Sequence, residues 1–107
     1  MTARESKPSR LRKAAVLDID EALNYYFTEA PHMVHGFESA VLEARKHVEN
    51  FSGTGSKRYQ SSSGEGVLRV WTLNKFPYAI FYFERTDYIE IVRLLHQSSN
   101  IPVHLES

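Results

Sequence analysis

Between Phe76 and Phe83 the chain runs Phe-Pro-Tyr-Ala-Ile-Phe-Tyr-Phe, eight residues without a charge. A strand that is apolar at successive positions has no face to offer water. It must be covered on both sides, as central strands are. The run is far short of the roughly 20 apolar residues that cross a bilayer. Its aromatic and β-branched content predicts a strand over Tyr78–Glu84. Neighbouring residues supply partners. Val67–Leu73 is β-prone, and Asn74-Lys75-Phe76-Pro77 can turn. Arg85-Thr86-Asp87 is a second turn. Tyr88–His96 alternates, with Ile89, Ile91, Arg93 and Leu95 on one face and Glu90, Val92, Leu94 and His96 on the other. Such short connections predict an antiparallel three-stranded meander.

The residues before the meander carry helical periodicity. Val16, Ile19, Leu23, Tyr26, Phe27 and Ala30 form one stripe, which predicts a helix over Asp18–Ala30. Asp18 and Glu21 have capping-box spacing. Pro31 ends that helix and opens another, which runs to about Phe51 with Met33, Phe37, Ala40, Val41, Ala44, Val48 and Phe51 inward. Gly53 is its expected stop. The short break predicts an antiparallel hairpin. Ser9–Ala15 reads as a strand and residues 1–8 as a flexible tail. Residues 52–66 read as a Ser- and Gly-rich mobile loop. The expected fold is α+β, in the order β-α-α-β-β-β, with one domain over 9–107.

Composition closes off several chemistries. The chain has 107 residues and no cysteine, which removes disulfides, thiolate catalysis and cysteine-type zinc sites. The N-terminus is polar and basic with no apolar core segment, so no secretory leader is expected. The formal net charge is zero. Residues 1–13 carry five basic and one acidic group, and residues 14–49 carry two basic and seven acidic. A protein built to grip a phosphate backbone shows a basic excess, which is missing here. His32 and His35 share a helix face but lack an adjacent carboxylate at a metal-site spacing, so no metal or other cofactor is expected. There is no nucleophile elbow and no phosphate-binding glycine loop followed by Gly-Lys-Ser/Thr. What remains is Arg69, Trp71, Arg93 and His96 on or beside the sheet, with Tyr78 and Tyr82. Cations interleaved with aromatics can hold RNA by charge and stacking. They can equally be structural, with Arg93 on a carboxylate such as Glu90 and Trp71 in the core.

Phe76-Pro77-Tyr78-Ala79-Ile80-Phe81-Tyr82, then Ile91-Val92-Arg93-Leu94-Leu95-His96, then Asn100-Ile101-Pro102 resemble the C-terminal signature of ParE toxins in the RelE/ParE superfamily. Gly66, Arg69 and Trp71 resemble its preceding segment. Asp18-Ile19, Tyr25-Tyr26 and Ala30-Pro31 resemble its first helix and break. The resemblance spans roughly residues 9–105. It implies a cytoplasmic bacterial toxin of a type II toxin–antitoxin system, of the plasmid-stabilisation kind. It also implies a cognate ParD-like, ribbon-helix-helix antitoxin and a toxin–antitoxin hetero-oligomer.

ParE-like members are associated with poisoning DNA gyrase, and RelE-like members cut mRNA on the ribosome. Here Gln97-Ser98-Ser99 follows His96, with serine at both positions where arginine is common in relatives, and no tyrosine follows Tyr88. The gyrase branch is therefore expected, without enzymatic activity and without catalytic residues. The alternatives are a ribosome-dependent endonuclease and a weakened toxin that only binds its antitoxin. Lys57, Arg58 and Tyr59 are the candidate antitoxin contacts. Arg69, Trp71, Arg93 and His96 are the candidate functional sheet face.

Overall fold

A computed structural model describes residues 6–57 and 66–105. Strand β1 (Ser9–Leu11) leads into helix α1 (Lys13–Glu29). A 3-10 turn (Pro31–Met33) precedes helix α2 (Val34–Asn50). A second 3-10 turn (Ser52–Thr54) follows, then β2 (Arg69–Thr72), β3 (Tyr78–Glu84), β4 (Ile89–His96) and the short helix α3 (Ile101–Leu105). The sheet order is β1-β4-β3-β2, with β1 parallel to β4 and the other pairs antiparallel. The expected α+β order and meander are met, with α3 in addition.

Strand β3 has the predicted bounds, because its apolar run is covered on both faces. Ile80 and Tyr82 join the cluster beneath α1 and α2, with Ala15, Tyr26, Phe37, Val48, Ile89 and Leu94. Ala79, Phe81 and Phe83 join a second cluster with Leu68, Val92, Leu95 and Ile101 of α3. Each large side chain removed from water in these clusters contributes about 1.5–3 kcal/mol.

The strict alternation expected along β4 fails at one place. Phe81 pairs with Arg93 but Tyr82 pairs with Ile91, so Val92 is an extra residue. Such a bulge re-phases every side chain beyond it. Ile89 and Ile91 therefore share the helix-side cluster with Leu94, while Val92 lies with Leu95 on the other side.

The N-terminal elements differ from expectation too. Ala14 and Ala15 belong to α1, so the strand stops at Leu11. Alanine is the best helix former, and β1 has register partners only at Ile89, Glu90 and Ile91. Ile19, Leu23, Tyr26 and Ala30 of the expected stripe pack on the core, but the stripe is centred differently. Ala15, Ala22 and Tyr26 are buried, whereas Val16 and Phe27 are 40% and 71% exposed. The capping box is absent. Arg12 occupies the N-cap without a side-chain hydrogen bond, and Asp18 lies inside the helix. Lys7 and Pro8, within the stretch read as a tail, are hydrogen-bonded into the fold: Lys7 N–H donates to Glu49 O at 3.0 Å, and Ile89 N–H donates to Pro8 O at 2.9 Å. Of the stretch read as a loop, Ser52–Thr54 forms the 3-10 turn and Ser56 bridges antiparallel to Val70. Positions 58–65 lie outside the described residues.

Candidate functional site

The four sheet residues singled out from sequence do not share an open face. Arg69 and Trp71 lie on β2, Arg93 and His96 on β4, with β3 between them. The Arg69 guanidinium donates to the carbonyls of Gly53 at 3.2 Å and Gly55 at 3.0 Å. Tyr82, fully buried, donates its hydroxyl to Ser52 O at 2.6 Å. Burial pushes that phenol's pKa up. Together Arg69 and Tyr82 hold the 52–55 turn against the sheet. A Cβ at Gly55 would collide with the Tyr82 hydroxyl, so glycine is required there by close approach.

Trp71 packs flat against His47 of α2, with ring centroids 3.8 Å apart and planes 12° apart. Thr54 donates its hydroxyl to Phe51 O at 2.8 Å, so its oxygen accepts from His47 Nε2–H at 2.9 Å. Trp71 thus closes the seam between α2 and β2. Beside it lies a cleft of about 430 Å³ lined by Glu43, Asn74 and Lys75 among others.

Arg93 and His96 do come together. β1 reaches only as far as Ile91 along β4, which leaves the following residues without a strand neighbour on that edge. Asp18 of α1 fills the gap. Its Oδ2 accepts from Arg93 Nε at 2.7 Å and from Leu94 N–H at 3.0 Å, and its Oδ1 accepts from Arg93 Nη2 at 2.9 Å. Arg93 Nη1 donates to His104 O of α3 at 2.9 Å. Donating these hydrogen bonds to Asp18 raises the Arg93 pKa above its ordinary value. His96 stands edge-on to Tyr78 at 5.0 Å. Ser98 N–H donates to His96 Nδ1 at 3.0 Å, so the proton of the neutral ring is on Nε2. These residues border a cleft of about 270 Å³ between α1, β4 and α3, which Glu21 and Tyr25 of α1 also line.

Sequence reasoning missed Asp18, Glu21 and Tyr25 as site residues. Their spacing of three and then four puts them on one flank of a helix, and that was the available signal.

A further groove lies between α1 and α2. Leu11, Ile19, Leu23, Val41 and Leu42 line about 230 Å³, with Glu38 and Arg45 among them. Lys57 is exposed at the edge of the described residues, and Arg58 and Tyr59 lie outside them. Among the described residues no cluster of three or more His, Asp or Glu could hold a metal ion, and no helix is long and apolar enough to cross a membrane.

No protein-family model matches the chain, and no curated protein matches it. Among solved structures it is similar to a chain of the chromosomal ParDE TA system from P. aeruginosa. The TM-score is 0.68 at 19% identity, covering 86% of this chain and 97% of that one. The likeness is one of fold, and it is the fold that the strand motifs led us to expect.

Proposed function

We propose that this chain is a ParE-like toxin, held inactive by a cognate ribbon-helix-helix antitoxin, that acts in the bacterial cytoplasm by poisoning DNA gyrase. The observation that carries this reading is the fold shared with the ParDE chain over 86% of this chain and 97% of that one, joined to the strand motifs at Phe76–Tyr82 and Ile91–His96. The reading makes it a binding protein rather than an enzyme. A ribosome-dependent nuclease needs cations free to stabilise charge developing on phosphate. Arg69 is instead engaged with backbone carbonyls, and Arg93 with Asp18, which favours the non-enzymatic reading.

The antitoxin surface in this reading is the groove between α1 and α2. A segment that orders on binding would set apolar anchors between Ile19 and Leu23 on one wall and Val41 and Leu42 on the other.

The test is a supercoiling assay with purified gyrase and the antitoxin-free protein, beside a growth assay on induction. The expected result is growth arrest, loss of supercoiling and accumulation of cleaved DNA. Intact supercoiling with cut mRNA on ribosomes would overturn the target in favour of the nuclease. Intact supercoiling with normal growth would overturn toxicity itself.

A further inference from the structure

The cleft between α1, β4 and α3 is acidic, although it contains Arg93. Two carboxylates, Asp18 and Glu21, face one guanidinium, which leaves a net charge of −1 with the histidines neutral. Asp18 is fully engaged, taking both Arg93 and the Leu94 amide. Glu21 is exposed and has no ion-pair partner among the described residues, so the uncompensated charge belongs to it. Two tyrosines line the same cleft, Tyr25 at 57% exposure and the half-buried Tyr78. Burial first, then Tyr26, Tyr25 and Glu21, push the Tyr78 phenol's pKa up, so an added negative charge is disfavoured there. An anion such as an RNA phosphate would meet Glu21. It would find Arg93 with its Nε, Nη1 and Nη2 already donating.

We propose that this cleft binds the guanidinium of an arginine side chain carried by a partner protein. Glu21 supplies the charge-assisted hydrogen bonds, and Tyr25 and Tyr78 supply aromatic surface on which a planar cation packs. Arginine fits better than lysine because its planar, weakly hydrated head can stack and bond at once. The volume, about 270 Å³, is just under the roughly 300–1,000 Å³ of small-molecule pockets and suits a single side chain. This inference stands on the cleft alone and does not require the toxin reading.

The experiment is an NMR titration of the full chain with N-acetyl-arginine amide, following the backbone amides of Glu21, Tyr25, Leu94 and His96. Parallel titrations use N-acetyl-lysine amide and inorganic phosphate. The expected result is saturable shifts at those amides with the arginine amide, weaker shifts with the lysine amide and none with phosphate. In Glu21→Gln the arginine amide should bind roughly tenfold more weakly. Tyr25→Ala, at an exposed position, should weaken it as well without unfolding the chain. Equal binding of the lysine amide would overturn the guanidinium assignment. Preferential binding of phosphate, or no saturable shift with any probe, would overturn the proposal.

Discussion

Asp18 does two jobs with one carboxylate. It neutralises Arg93 and it accepts the Leu94 amide where β4 has no further strand beside it. The pair is largely removed from water, with side chains 12% and 16% exposed. Removing one partner leaves the other charge uncompensated, which costs about 3–5 kcal/mol in buried pairs. Asp18→Ala should therefore lower unfolding free energy by about 3 kcal/mol in urea melts. Asp18→Leu combined with Arg93→Met should cost less than the two single changes added together. If Asp18→Ala unfolds at the wild-type urea concentration, the pair is not structural. The pattern places Asp18 near a helix start and Arg93 on a strand, but their pairing is a tertiary contact between residues 75 apart in the chain. Capping spacing at Asp18 and Glu21 pointed to a helix start later than Lys13. Local pattern could not weigh that against the alanines at 14 and 15.

At the scale of elements, the N-terminal strand is tied down on both sides. Toward β4 it makes ladder bonds, and away from it Ser9 N–H donates to Glu49 at 3.0 Å while Arg45 donates to Ser9 O at 3.2 Å. The end of α2 thus occupies a sheet edge that would otherwise offer itself to another chain. Lys7 adds an ion pair to Glu84 at the end of β3, 2.8 Å long. The Lys7 hydrogen bond is the largest reason the Glu84 carboxyl's pKa is lowered from its ordinary 4.5. A carboxyl with a lowered folded-state pKa stabilises the fold above its unfolded value and loses that contribution as pH falls through the folded one. Wild type should therefore melt above Glu84→Gln at pH 7, and the gap should narrow as pH falls below 4.5, as thermal melts across that range would show. A gap independent of pH would mean that the ion pair contributes nothing. Elements with a single strong period were legible in the sequence. Strand β3 was read to the residue and α2 nearly so. Strand β4 was legible in extent but not in facing, because the bulge at Val92 leaves no mark in composition.

For the whole molecule, two long helices cover one side of the sheet and α3 contributes to the other. Where α1, α2 and β1 meet, Leu11, Ile19, Leu23, Val41 and Leu42 line an apolar groove. Leu42 is 51% exposed there, so Leu42→Glu should leave the melting temperature nearly unchanged. It should weaken antitoxin binding about tenfold or more in calorimetry, the value of one buried leucine. Unchanged affinity would move the antitoxin off this groove.

The pairing of Ser9 with Ile89 also has a consequence in time. Eighty residues separate the two, and synthesis at about 5–20 residues per second puts roughly 4–16 s between their appearance. From the completion of α2 at Asn50 until β3 begins at Tyr78, α1 and α2 exist without the β3 and β4 side chains they cover. Their inward faces are then available to any binder already present on the nascent chain. The sheet cannot close until β4, which lies between β1 and β3, has been made, so a partner made earlier than this chain would meet it before the sheet is whole.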